Sequence, residues 1–412
     1  MADTTTTAAL YSEDAVVVAA EERFEAEWLL AARREAARAF AAAPVPTPQI
    51  RAWKYTDVTD LTIESFTPWT PTTTVKVDQL HREAFAGTLR EAADDQRLND
   101  DVRERLGSIV PSTEGRFIAA NAAHWSDGLY LRLPKGVALS SPVVVTIDAS
   151  EAPAGSAIYP RILIDAHTAC EAVVVVRFIS GDQPLLVSSV IEIHAADDAK
   201  VRLLLDDRWG AATQEFTTAR SRLGRAANVQ VSSLAIGGAL IKQTVEALIE
   251  GEGAHSDISG VALGDTEQHF DFVTLQDHIG PRTTSNVEIK AALAGSSRSI
   301  YYGVTRVEVS AKGAQANQTN RNLLLSGNSK ADSDPVLEIL TSDVIRCGHA
   351  ATVGPVDEEA LFYLQSRGLP RRSALQLLVT GFFQSVVEDI PIDGLAEELE
   401  EIVVEKLANA KL

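Results

Sequence analysis

The chain has 412 residues, 45% of them hydrophobic and 23% charged, and a net charge of −20. This is a globular composition, long enough for two or three structural units. The acidity argues against binding modes that depend on Lys and Arg meeting phosphates or an anionic lipid surface, and two cysteines are too few for a disulfide framework or a four-thiolate metal centre.

Residues 1–10 read as a disordered Thr/Ala leader. It lacks the basic start and apolar core of a secretory signal, and no apolar run approaches the ~20 residues needed to span a bilayer. The expected location is cytoplasmic. A helix is expected over residues 12–43, with Ser12 as N-cap, acids in the first turn, and Phe24, Trp28 and Ala31 or Ala32 at helical spacing. Pro44, Pro46 and Pro48 end it. The stretch Arg51-Ala-Trp-Lys-Tyr-Thr-Asp57 then reads as an anchor that pins the N-terminal arm to the main body. Residues 77–106 are helical and charged, and a loop at 111–115 follows.

From residue 117 to about 345 the pattern changes to short apolar or alternating runs, among them 143–147, 173–178, 185–193, 201–205, 229–234, 258–263, 287–293 and 300–309. Each has strand length, is rich in Val, Ile and Leu, and is bounded by Gly, Asp, Asn or Ser. No helix of ordinary length fits between them, which excludes βαβ units. Run centres at Val173, Val187, Val201, Glu215 and Val229 step by 14 residues, the fixed interval of a stacked repeat. A sandwich or barrel competes with a β-helix, and a run of more than a dozen strands favours the β-helix. The terminal coils of such a solenoid are unpaired edges, so oligomerisation is expected.

After Gly354 helical patterning returns. Acids at 357–359 open a helix carrying Leu361, Phe362, Leu364 and Gln365, which stops at Arg367-Gly368. Pro370 opens a second helix through Leu375, Leu378, Val379, Phe382 and Phe383, residues 389–392 break it, and an acidic last helix runs from about 395 to 408. The reading divides the chain into an N-terminal helical region (1–115), a β-helix core (116–350) and a C-terminal helical domain (351–412). The fold class is mainly β.

The residues with chemistry are few. Cys347 and His349 are two apart, so on one strand they share a face, and a thiolate beside an imidazole suits zinc, iron or an iron–sulfur centre. Two ligands are an incomplete site, and from spacing alone a core cysteine beside a hydrogen-bonded histidine is the better reading. Cys170 precedes Glu-Ala-Val-Val-Val-Val and reads as core. Asp277-His278 with Thr283 and Ser285 reads as polar groups completing a turn, and His255 and His269 lie near acids with no triad spacing. Residues 237–242 lack the phosphate-loop pattern. Asn317-Gln-Thr-Asn-Arg-Asn322 reads as a stacked polar ladder. Phe362, Tyr363 and Arg367 are either interface anchors or helix packing.

Gln318-Thr-Asn-Arg-Asn-Leu-Leu-Leu-Ser326, Pro335-Val-Leu-Glu-Ile339, Ser342-Asp-Val-Ile-Arg-Cys-Gly-His-Ala-Ala-Thr-Val-Gly354, Glu358 to Gly368 and the Trp53-Lys-Tyr-Thr56 arm resemble the SufB/SufD family of the SUF iron–sulfur cluster assembly system. The likeness covers most of the chain, and the Trp53–Thr56 arm, modest length and few cysteines are similar to its SufD branch. The resemblance implies a right-handed parallel β-helix flanked by helical domains and a non-enzymatic scaffold. It implies a SufB-like partner at the β-helix end and a SufC-like ATPase at the C-terminal helices, where Phe362, Tyr363, Arg367 and Gly368 become candidate contacts. The family's Cys-x-His pair falls on Cys347 and His349, candidate ligands of a transient iron or iron–sulfur cluster shared with the partner chain. No cofactor is expected to bind stably to this chain alone, and a flavin in the complex is left open. The sequence departs from the family pattern at Ser342, Arg346, Gly348 and Ala350, which stand for Asp, Lys, Ser and Gly. Two alternatives are carried: a SufB-like homodimer that holds a nascent cluster itself, and a carbohydrate-active β-helix enzyme, which would want a groove of catalytic acids.

Overall fold

The computed structural model describes residues 4–410, except 389, 391 and 393. Its centre is a parallel β-solenoid of two sheets, with eleven and nine strands, in which alternate strands of the chain are neighbours. Lys200–Arg208, for example, lies between Glu171–Ser180 and Asn228–Ala235, parallel to both and in unbroken register. One coil is therefore two strands, and the 14-residue step of the sequence is half a coil.

In-register parallel pairing sends equivalent side chains to the same face. One inward column of the nine-stranded sheet runs Val143, Val174, Leu203, Val231, Ile258, Val287, Gln318 and His349. Its members from Val143 to Val287 are buried in one apolar cluster, each worth about 1.5–3 kcal/mol of transfer energy. The corners repeat as well. Gly136, Ala169, Asp198, Ala226, Gly253, Arg282 and Gly313 all have positive φ, and the backbone N–H of each donates to a carbonyl in the corner of the next coil. Only three of the seven are glycine, so the stacked hydrogen bonds impose the conformation on residues that do not favour it.

The two ends differ. At the first, Thr72–Lys76 pairs antiparallel with Val143–Ala149, and Phe85–Thr88 pairs antiparallel with Gly128–Leu133. At the other, Lys330–Ile339 and Val344–Pro355 each have a neighbour on one side only. The reading of residues from 117 as strand is corrected, because Arg116–His124 is a helix. It packs on the outside of the eleven-stranded sheet, and Asn121 donates to the carbonyls of Pro160 and Ser188.

The N-terminal reading changes in three places. The expected disordered leader contains a helix, Thr4–Ala9. Ser12 caps Glu13–Glu22 as expected, but that helix stops, and a second, Glu27–Ala42, follows. Between them the buried carboxylate of Glu25 takes Arg23, Arg33 and Arg90 at 2.8, 2.5 and 3.3 Å. Phe24, expected on a helical face, is left at positive φ and 91% exposed. Residues 77–106 hold a strand, Phe85–Thr88, before the helices Leu89–Asp94 and Asn99–Arg105.

The aromatic arm lies across the eleven-stranded sheet as a strap. Trp53 stacks on Phe117 and Phe216, with centroids 5.5 and 6.0 Å away, and Lys242 Nζ sits 4.6 Å over its ring. Lys242 Nζ donates to the Ala52 carbonyl and to Asp271, both at 2.6 Å, and Thr56 donates to Asp271 and bonds His269. Arg51 pairs with Asp334 on the last strand of that sheet. The outer face of the other sheet is covered by the helices Arg371–Val387 and Leu395–Asn409. Leu375, Val379, Phe383, Leu399 and Val403 pack there with Val175, Leu204, Leu234 and Leu263. Of the expected break at 389–392, residues 389 and 391 lie outside the described residues.

Lys242 and Asp271 are both almost fully buried, so Asp271→Ala should destabilise the fold by about 3–5 kcal/mol in urea denaturation, and Lys242→Met with Asp271→Leu by less. Burial lowers the His269 imidazole from 6.5 to about 4, against the opposing pull of Asp271. The folded state therefore favours neutral His269. Its contribution is present above pH 6.5 and is lost as pH falls to about 4, a slope that His269→Gln should flatten.

Candidate functional site

The open end of the solenoid gathers the residues with chemistry. Val344–Pro355 is the last strand of its sheet, and Cys347 and His349 stand on its inward side, in register with Ala316 and Gln318. Cys347 packs against an interior cluster of Val307, Ala311 and Ala314. Burial raises its thiol above the ordinary range, partly offset by a hydrogen bond with the Ala316 backbone. His349 is exposed, and its side chain has no hydrogen-bond or ion-pair partner among the described residues.

The coil beneath them is the polar one. Where the preceding coil carries Val287, Ile289 and Ala291, the strand Ala314–Leu324 carries Gln318, Asn320 and Asn322, all buried. Gln318 accepts from the Tyr301 hydroxyl at 2.9 Å, and its amide donates to Thr305 and to the Val336 carbonyl on the opposite edge strand. Asn320 donates to the Ile289 carbonyl, and Asn322 donates to Asn320 at 2.6 Å. Buried amides with partners on both sheets hold this coil in one arrangement. They provide a rigid polar floor under His349. A Cβ on Gly303 would stand 2.0 Å from Tyr301 Oη and 2.5 Å from Gln318 Oε1, so this network needs glycine there.

The rim is apolar. Ile345 is 67% exposed, and Val309, Leu340, Ile339 and Val353 are exposed around it. Cys347 and His349 do not complete a metal centre within the chain: no group of three or more His, Cys, Asp and Glu side chains suited to a metal occurs among the described residues. The geometry puts one sulfur-bearing and one nitrogen-bearing side chain on an unpaired edge strand.

The other candidates sort differently. Cys170 is buried in the core and its thiol is pushed up to about 11. His278 is buried and bonded to Thr283 and Ser285, completing a turn. Asn317 bonds Asn286 along the ladder. Phe362 and Tyr363, on the helix Glu358–Ser366, are 71% and 56% exposed. Arg367 lies over the Tyr363 ring, and Gly368 ends the helix at φ 94. Gln318, in the polar ladder of the sequence, lies one coil of 31 residues before His349 and in register with it. The exposed apolar rim had no signal, because its strands read like any other.

A family model described as SUF system FeS cluster assembly, SufBD core domain, matches residues 146–382. The chain belongs to the SufBD family. An iron–sulfur cluster assembly SufBD family protein of Mycobacterium tuberculosis is 28% identical over 302 residues, 72% of this chain and 75% of that one. The SufD protein of Bacillus subtilis is 29% identical over 303 residues, covering 72% of this chain and 68% of SufD. The SufB protein of the same organism is 28% identical over 306 residues, 73% of this chain and 64% of SufB. The matched region takes in nearly the whole solenoid with Cys347, His349 and the first C-terminal helix. This is an iron–sulfur cluster assembly protein of the SufBD family. Among the described residues no helix is long and apolar enough to cross a membrane.

A disulfide-exchange probe at neutral pH should titrate one thiol slowly, Cys347, and the second only on unfolding. Cys347→Ser should leave no native reactivity. Gly303→Ala should cost about 1–3 kcal/mol by overpacking.

Proposed function

We propose that the chain is a SufD-type, non-catalytic subunit that covers its open solenoid end with a SufB-like subunit. Cys347 and His349 then form half of a site through which iron or a nascent iron–sulfur cluster passes as cargo. The observation that carries this reading is the asymmetry of the ends. One ends in two short antiparallel strands of five and four residues, while the other presents two long parallel edge strands and an apolar rim around a cysteine and a histidine. An edge of this kind invites strand pairing with another chain. The partner supplies the remaining ligands, because a lone sulfur–nitrogen pair under-coordinates iron. The edge that carries the half-buried Cys347 and the exposed His349 also supports exchange, since cargo held between two chains leaves when they part.

The exposed Phe362–Tyr363 face, with Arg367 and Gly368, is the dock for a SufC-like ATPase. Aromatic and Arg side chains exposed together on a helix that packs little of itself suit a hot spot. Motion of the ATPase reaches the site through the helices that lie on the outer face of the solenoid. A scaffold of this kind serves by position, and the chain has no catalytic role in the reading.

Co-expression with SufB-like and SufC-like proteins tests the docks separately. Ile345→Asp with Val353→Asp should lose the SufB-like subunit while retaining the ATPase. Phe362→Ala with Tyr363→Ala should weaken ATPase retention about tenfold and leave the other contact intact. His349→Ala should lower the iron and cluster content of an otherwise assembled complex; unchanged content would refute the ligand role. Recovery of a cluster-bearing homodimer from the isolated chain would favour the SufB-like alternative.

A further inference from the structure

A cleft on the N-terminal side lies outside everything assigned above. It opens between the helix Glu27–Ala42, the end of the helix Asn99–Arg105 with the loop after it, and the helix Arg116–His124. Its volume is about 410 Å³, within the range of small-ligand sites. Trp28, Leu29, Leu106, Pro111, Ala122 and Trp125 give it apolar and aromatic walls.

The buried polar atoms left without a partner in its lining are donors. Arg161, buried at the wall, gives Nη1 to Asn121 and Nη2 to Glu192, but its Nε has no acceptor. The indole Nε1 of Trp28 is likewise buried without one. Glu192 cannot serve either, because it already accepts from Arg161 and from the backbone N–H groups of Gly107, Ile109 and Val110. At the rim Arg103 is exposed and has no ion-pair partner among the described residues. Buried donors left unpaired are costly, and two such donors beside an aromatic slot, with the exposed Arg103 cation at its rim, point to an acceptor-bearing guest.

We propose that this cleft binds a small planar aromatic monoanion. Its ring lies along Trp28 and the aliphatic wall, and its carboxylate meets Arg103 and takes up the Trp28 and Arg161 donors. Both buried donors lie behind the surface that solvent reaches, so engagement includes a side-chain adjustment of the ordinary kind. Glu35, exposed at the same rim, disfavours a second negative charge on the guest. A bound guest bridges the N-terminal helices and the solenoid through Arg161.

The probe is 1-naphthoate, titrated calorimetrically into the full chain, with uncharged naphthalene methanol as the comparison. The expected result is saturable binding at one site, weaker for the alcohol. Arg103→Ala should weaken it about tenfold with an unchanged melting temperature. Ala32→Phe, at an exposed lining position, should abolish it by filling the slot. Trp28→Phe, which keeps a ring and loses the donor, should fall between. No saturable binding, or binding that ignores Arg103→Ala and Ala32→Phe alike, overturns the proposal.

Discussion

A parallel solenoid satisfies its backbone by stacking, and the last coil has nothing to stack on. The N–H and C=O groups of Lys330–Ile339 and Val344–Pro355 are paired on one side only, and much of the molecule can be understood as the handling of that edge. The first coil is flanked by two short antiparallel strands. The last is left open, ringed with apolar side chains, and filled beneath with amides in place of aliphatics. An interior of Val and Ile alone would present a greasy end with no preferred mate. Gln318, Asn320 and Asn322 exchange some of that apolar burial for a fixed, polar surface under His349.

The two outer faces carry the rest of the chain, and charged groups fasten both. Across the eleven-stranded sheet, the arm runs from Phe216 through Lys242 and Asp271 to Asp334, so that it spans successive coils and reaches the open edge itself. On the other sheet, Lys406 donates to the carbonyls of Ile236 and Leu263 and to Gln268, and burial lowers its amine to about 8. Lys290 reaches the Phe382 carbonyl and Ser385, while Glu398 meets Arg177 and Arg208. The helices Arg371–Val387 and Leu395–Asn409 are thus held to the coils at separated points along the stack.

The solenoid was legible because its signal is repetition: the 14-residue step and the Val/Ile/Leu runs state the half-coil directly. The ends of regular structure were less legible. The break at Phe24 depends on Glu25 meeting three arginines, one of them, Arg90, distant in the chain, and Arg116–His124 looks apolar because it is buried against a sheet. The corners gave little signal, since Ala169, Asp198, Ala226 and Arg282 adopt positive φ under tertiary hydrogen bonding. At the candidate site, Cys347 and His349 were readable as a pair on one strand face. Their pairing partners and the exposure of their strand were not, because register joins residues a full coil apart.

The central claim is that the open end is the working end. Hydrogen–deuterium exchange of the chain alone and with a SufB-like partner tests it most directly. The account predicts that amides of Val344–Pro355 and Lys330–Ile339 slow by at least about tenfold in the complex, as unpaired edges gain neighbours. Unchanged exchange there, with new protection at Thr72–Lys76 instead, would contradict it.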